Sequence, residues 1–259
     1  MKITQKKKRI LICVVYNLIL EFWVHSIIGF LNPILAISLL LLYLSYFSML
    51  EDLIVRFKLR DHHVLLIGFI FGLFHEIFTT GSVFNEPNFL GINLIILFLA
   101  NVFWWGILQS IFGLYFANTL VERSEVDKKM GPIGWILALS FNVLLFLGRI
   151  IEGTLPPGSV LGYIFSLIIM GVAVFLFIII KKPEEALEIN RNRFIDILLK
   201  VQIALCLVMG IILIFIIGII ALYLFILWSV LTGIIYIIFA IKGRRFIGVI
   251  NLNKKIQEG

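Results

Sequence analysis

Charged residues are scarce in this sequence of 259 residues. Asp, Glu, Lys and Arg make up 14% of the chain, whereas they make up about a quarter of a soluble domain. Hydrophobic residues make up 61%, and the mean hydropathy is +1.11. This composition excludes an ordinary soluble domain. It predicts an all-α, polytopic integral membrane protein.

Cysteine is also scarce, since Cys13 and Cys206 are the only two, and both fall inside predicted membrane spans. Two isolated thiols exclude a disulfide framework and a thiolate zinc site. The zinc pattern His-Glu-x-x-His fails as well, because Thr79 occupies the position of its second histidine. The sequence has neither a phosphate-binding P-loop nor a Rossmann glycine pattern. We therefore expect no metal and no organic cofactor.

Eight apolar stretches are long enough to cross a membrane, since a helical span needs roughly 20 apolar residues. Turn-forming Asn, Pro and Gly residues separate most of them. The spans are expected at 10–30, 34–55, 63–84, 90–117, 133–150, 159–180, 198–217 and 219–241. We expect the first to be retained rather than cleaved as a signal peptide, because no Ala-x-Ala-like site follows it. Residues 1–259 are thus predicted to form a single transmembrane domain.

The basic residues follow one topology of these eight spans. With the N-terminus in the cytoplasm, 21 of the 22 Lys and Arg residues fall in cytoplasmic segments, Arg149 being the exception. Those segments are 1–9, 56–62, 118–132, 181–200 and 242–259. Basic loops face the cytoplasm, so both termini are predicted to be cytoplasmic in a multi-pass protein of the cell membrane. Anionic membrane lipids, and not nucleic acid, are the expected partners of this charge.

Several polar side chains are predicted to lie deep in the membrane, given a rise of about 1.5 Å per helical residue. They are Glu21, His25, His75, Glu76, Asn101 and Asn142. Residues four apart share a helix face, so His25 lies on the face of Glu21. Buried ionisable groups are costly and mark functional sites. We expect the polar interior in the spans of 10–152 and an apolar scaffold in those of 159–241.

The stretch FGLFHEIF carries His75 and Glu76 side by side inside the third span. Gly68 and Gly72 precede them in a pattern that lets another helix approach closely. We expect this approach to occur next to His75, and we expect His75 to be better buried than Glu76. Near the outer end of the fifth span, Arg149 is expected to pair with Glu152 or with a carboxylate of the first span.

Three motifs in chain order, EDLIVR, FGLFH and ALSFN, resemble the signature of the CAAX-protease and bacteriocin-processing family of intramembrane proteases. That family carries E-E-x-x-x-R, F-x-x-x-H and H-x-x-x-N on successive membrane helices. The resemblance implies that Glu51 activates a water, that His75 holds this water and that Asn142 stabilises the oxyanion. This chain departs from the pattern, because Asp52 replaces the second glutamate and Ala138 replaces the last histidine.

Three functions from different classes stay open. The first is a membrane-embedded hydrolase acting on a small molecule or a membrane peptide, the second a proton- or cation-coupled transporter, and the third an accessory subunit without an active site. The candidate catalytic residues are Glu51, His75, Glu76 and Asn142, and the candidate binding residues are Glu21, His25, Asn101 and Arg149. A hydrolase of the family above needs Glu51 close to His75, whereas a transport site needs Glu21 near Glu76 at the midplane.

Overall fold

A computed structural model describes residues 4–124, 127–151, 158–182, 189, 191–212 and 218–249. These residues form eight long helices: α1 (Gln5–Phe30), α2 (Pro33–Phe57), α3 (Asp61–Thr80), α4 (Leu94–Leu120), α5 (Pro132–Ile151), α6 (Val160–Ile179), α7 (Arg193–Ile212) and α8 (Gly218–Ile241). Seven are long and apolar enough to cross a membrane, and α5 carries a shorter apolar stretch over Pro132–Leu145. The predicted all-α, polytopic membrane fold is confirmed.

Several helix boundaries differ from the predicted spans by a few residues, and two of these differences have a physical reason in the structure. α1 begins at Gln5, ahead of the apolar run, because the side chains of Lys6 and Arg9 reach buried acidic partners. α3 ends at Thr80, because Gly81 adopts a left-handed conformation with φ of 69°. The end of the predicted seventh span, 213–217, lies outside the described residues.

The helices pack around α4, which lies at the centre of the bundle. α1 packs against α2, α4 and α7, α3 packs against α4 and α6, and α8 packs against α4. Half of the apolar window of α4 is buried, against 17% for α6 and 22% for α8. The surfaces of α6 and α8 are therefore more available to lipid than that of α4.

The contact between α3 and α4 depends on glycine. A Cβ atom on Gly68 would lie 2.8 Å from the Cα of Gly106, closer than van der Waals contact allows, and one on Gly72 would meet the ring of Trp105. The ring of Trp105 in turn lies 5.2 Å from the ring of His75, centroid to centroid. The expectation that Gly68 and Gly72 admit a second helix next to His75 is confirmed.

The described residues of all five basic segments meet at one end of the bundle, which we call the basic end. The contacts that join them are Lys6 Nζ to Lys128 O at 3.0 Å, Arg56 Nη2 to Met130 O at 3.1 Å, Arg123 Nη1 to Gly248 O at 3.0 Å and Arg191 Nη2 to Thr119 O at 2.7 Å. Two predicted spans separate each basic segment from the next, so the segments are required to lie at the same end of the bundle. The side of the membrane that this end faces stays a prediction.

Candidate functional site

α1 carries a side chain with a polar or thiol group at every fourth position, and this series turns around the helix by about 40° at each step. We call this series the polar column, and its members are Arg9, Cys13, Asn17, Glu21 and His25. Because each helical residue rises about 1.5 Å, the column extends over about 24 Å from the basic end. The first four side chains are buried, whereas the side chain of His25 is 35% exposed. The column is thus closed at the basic end and accessible at the other.

A buried ion cluster, in which only the side chain of Asp127 is partly exposed, closes the column at the basic end. Arg9 Nε donates to Glu51 Oε2 at 3.2 Å, and Arg123 donates to both oxygens of Glu51, at 3.0 and 2.5 Å. Arg9 also pairs with Asp127. Burial by itself would lower the pKa of Arg123, but the charge of Glu51 raises it above its ordinary value. Two guanidinium groups and two carboxylates therefore balance one another in this cluster.

Asp52 anchors a second set of contacts beside this cluster. Its carboxylate accepts from Lys6 Nζ at 3.0 Å, from Arg56 Nη2 at 2.9 Å and from Trp135 Nε1 at 3.1 Å. The backbone N–H of Met130 donates to it as well. Asp52 thereby joins α1, α2 and the start of α5. Both carboxylates of EDLIVR are engaged in holding helix ends together.

The middle of the polar column ties α1 to α4 through backbone carbonyl groups. Asn17 Nδ2 donates to the carbonyl of Gln109 at 3.4 Å and to that of Cys13, one turn earlier, at 2.9 Å. Cys13 Sγ lies 3.5 Å from the carbonyl of Gly113. These bonds hold α1 and α4 in register between Glu21 and the basic end.

Glu21 is the only carboxylate of the column, and its partners are mostly neutral. Tyr43 donates its hydroxyl to Oε1 of Glu21. Gln109 Nε2 lies 3.1 Å from that oxygen and 2.7 Å from the hydroxyl of Tyr43. His25 Nε2 lies 3.2 Å from the other oxygen, and it is the only basic side chain paired with Glu21 among the described residues. We call Glu21, His25, Tyr43 and Gln109 the Glu21 cluster.

The helix bends directly after this cluster. Ser26 has φ of 57° and ψ of 173°, whereas the flanking residues of α1 are helical. Such a conformation is nearly restricted to glycine and costs a side chain about 1–3 kcal/mol. Strain of this kind concentrates at functional sites, and here it adjoins the accessible end of the column.

His75 and Glu76 lie in a different environment. Glu76 Oε2 accepts from Thr80 Oγ1 at 2.6 Å and from the hydroxyl of Ser82. Glu76 is buried at 6% exposure, whereas His75 is partly exposed. The expectation that His75 is the better buried of the two is wrong, because two hydroxyl groups draw the carboxylate of Glu76 into the turn that follows α3.

The two asparagines predicted to lie deep in the membrane each donate to a backbone carbonyl one turn earlier in their own helix. Asn101 Nδ2 donates to Leu97 O at 2.9 Å within α4, and its Oδ1 is buried without a hydrogen-bond partner. Asn142 Nδ2 donates to Ala138 O at 2.9 Å and to Ser45 Oγ at 3.2 Å, which links α5 to α2. Both amides therefore have a part in helix packing.

The spacing of Glu51 and His75 along the bundle can be read from helix geometry. The end of α2 and the start of α3 lie at the same end of the bundle. Glu51 lies six residues before the end of α2, and His75 lies fourteen residues after the start of α3. At about 1.5 Å per residue their depths differ by roughly 12 Å.

The predicted pairing of Arg149 with Glu152 or another carboxylate lies outside the described residues, because the side chain of Arg149 and all of Glu152 are beyond them.

Tyr43 and Gln109 are members of the Glu21 cluster that sequence reasoning missed. The sequence offers only an indirect signal for them, because the buried polar groups of Asn17 and Glu21 need hydrogen-bond partners on neighbouring helices without specifying which. No family model, no curated protein and no solved structure matches this chain. The functional argument therefore proceeds from the geometry of the two glutamates.

Proposed function

We propose that this protein is a proton-coupled membrane carrier in which Glu21 takes up and releases the coupling proton. The observation that carries the proposal is the Glu21 cluster: a buried carboxylate far from either helix end, held by Tyr43 and Gln109 with no Lys or Arg in the described residues paired to it. Ionisable groups at this depth mark proton pathways and substrate sites. A carboxylate with neutral partners can change charge without breaking an ion cluster.

His25 gives the proton its route to Glu21. Its side chain is partly exposed and its Nε2 lies 3.2 Å from Glu21 Oε2, so a proton can pass from water to His25 and then from His25 to the carboxylate. Tyr43 and Gln109 meanwhile fix the other oxygen. Neutralising Glu21 weakens its attraction for His25, and the bend at Ser26 lets the end of α1 respond.

The basic end is closed in this conformation, as alternating access requires of one end at a time. Arg123 connects Glu51 to the carbonyl of Gly248, and the side chains of Phe246 and Ile247 are buried beside it. Because basic segments face the cytoplasm, we place this end inside the cell and His25 toward the outside.

The hydrolase that the motif resemblance implies has less support. A general base must take a proton from a water within hydrogen-bond reach. Both oxygens of Glu51 already accept from guanidinium groups, and these favour the charged carboxylate over its protonated form. His75 also lies roughly 12 Å away in depth. The geometry favours proton exchange at Glu21 over water activation at Glu51.

Infrared difference spectroscopy on the full-length protein in lipid vesicles tests this proposal. A pH step should produce a protonated-carboxyl band that Glu21→Gln removes. Glu76→Gln is the matched control, because Glu76 is equally buried and also has neutral partners; this variant identifies any band that Glu76 itself produces and should keep the band of Glu21. A Glu21→Gln spectrum that has lost no protonated-carboxyl band would contradict the proposal. Proton uptake driven by an imposed pH gradient, followed with a trapped dye, should fail in the same variant.

A further inference from the structure

We infer that a crevice among α2, α3, α5 and α6 binds one acyl chain of an anionic phospholipid, whose head group lies against Arg56 at the basic end. The crevice has a volume of about 340 Å³, within the range of roughly 300–1,000 Å³ found for small-molecule sites. It shares no residue with the Glu21 cluster. The inference is independent of proton coupling.

The wall of the crevice has the chemistry of a hydrocarbon chain. Apart from Asn142, the residues that line it have aliphatic, aromatic or methionine side chains, among them Leu53, Ile70, Phe74 and Val143. Its one amide, on Asn142, is already bonded to Ser45 and Ala138, and the hydroxyl of Tyr46 is bonded to Ser110. A peptide backbone would lose its hydrogen bonds here, whereas an acyl chain has none to lose.

The crevice can be entered from the surrounding lipid. Leu139 and Val143 line it and are 52% and 50% exposed, respectively, so its α5 wall is open to the exterior of the bundle. From Trp135 to Val143 it follows eight residues of α5, or about 12 Å. That length suits one leaflet of a hydrocarbon core about 30 Å thick.

The end of the crevice that is nearest the basic end of the bundle lies close to the side chain of Arg56. Trp135 lines the crevice and donates Nε1 to Asp52 Oδ2 at 3.1 Å. Arg56 donates to the same oxygen at 2.9 Å, and its side chain is 35% exposed. A lipid whose chain contacts Trp135 therefore brings its phosphate to the guanidinium of Arg56.

The charge around this end selects an anionic head group. Of the carboxylates at this end, Asp52 is buried and Asp127 pairs with buried Arg9, whereas Glu122 is exposed. Lys6, Arg9 and Arg123 are buried, but four other basic side chains are exposed and outnumber Glu122: Arg56, Arg60, Lys128 and Lys129. A rim with this arrangement attracts anionic lipids of the adjacent leaflet.

Quenching of tryptophan fluorescence by brominated lipids tests the site. The full-length protein is placed in phosphatidylcholine vesicles that contain either brominated phosphatidylglycerol or brominated phosphatidylcholine. The anionic quencher should associate about fivefold more strongly, as expected for one basic side chain near a phosphate. Trp135→Phe should remove this excess quenching, since Trp135 is the tryptophan that lines the crevice.

Two pairs of variants separate the chain from the head group. Val143→Phe fills the crevice and should abolish the excess quenching, whereas Leu144→Phe, exposed on the same helix and outside the crevice, should not. Arg56→Gln should remove the preference for phosphatidylglycerol but keep quenching sensitive to Val143→Phe. Lys242→Gln, also exposed at the basic end, should change neither.

Three results would overturn the inference. Equal quenching by both lipids, unaffected by Val143→Phe, would mean that only bulk lipid contacts the protein. Equal quenching by both lipids that Val143→Phe removes would disprove the choice of an anionic lipid. A phosphatidylglycerol preference that survives Arg56→Gln would disprove the head-group position.

Discussion

Glu51 and Glu21 are both buried carboxylates, and each has a basic partner on α1, yet their surroundings differ. Glu51 accepts hydrogen bonds from two arginines, both fully buried. Glu21 accepts from a phenol and an amide, and its only basic partner among the described residues is a partly exposed histidine. The first arrangement fixes a charge, and the second permits a change of charge.

The difference teaches how to separate structural from functional ionisable groups in a membrane bundle. A buried carboxylate with strong cationic partners stays ionised, and losing it leaves those cations without compensation. A buried carboxylate with neutral partners can be neutralised while its hydrogen bonds stay in place. Substitutions at the two sites should therefore affect stability and proton exchange in opposite proportions.

Glu51→Gln should have the largest effect on stability. It leaves Arg9 and Arg123 buried with one negative charge fewer, and breaking a buried ion pair costs about 3–5 kcal/mol. Thermal unfolding of the purified protein in detergent should show a large fall in the melting temperature. The matched variant is Glu21→Gln, which makes the same chemical change on α1. Equal losses in the two variants would contradict the division of roles.

Asp61→Ala should have the next largest effect, because it opens the basic end from another side. Asp61 accepts from the backbone N–H groups of Phe246, at 3.0 Å, and Ile247, at 2.8 Å, and both residues are buried. Losing these bonds should cost about 1–3 kcal/mol. Hydrogen exchange should speed up at these two amides. Unchanged exchange would mean that the Arg123–Gly248 contact alone holds the segment.

The sequence predicted the membrane fold from the length of its apolar runs, and it predicted which segments share an end from their Lys and Arg residues. It also predicted the close approach at Gly68, because glycine spacing on one helix is a local signal. The partners of Glu21 could not be predicted in the same way, since Tyr43 and Gln109 come from helices whose rotation depends on tertiary packing. The same limit applies to Glu76, whose bond to Ser82 depends on where α3 ends.

Glu21→Gln and Tyr43→Phe should have small effects on stability. Gln keeps an acceptor for the hydroxyl of Tyr43, and interhelical hydrogen bonds in membranes are worth on average about 0.6 kcal/mol. Each variant should lower the unfolding free energy by less than about 1 kcal/mol. Tyr43→Phe should keep the protonated-carboxyl band and shift its frequency, because Glu21 loses one donor. A large loss of stability in either variant would make the cluster structural.

Ser26→Gly should be the only one of these changes that stabilises the protein. Ser26 has φ of 57° and ψ of 173°, a conformation that glycine adopts without the strain of a side chain, so the variant should gain about 1 kcal/mol. Ser26→Ala keeps a Cβ and should gain nothing, while Val24→Gly in the same helix should lose about 1 kcal/mol. These three melting temperatures locate the bend in α1. If Ser26→Gly destabilises as Val24→Gly does, residue 26 is helical in the membrane. The Glu21 cluster would then lack the bend that lets the end of α1 respond to a proton.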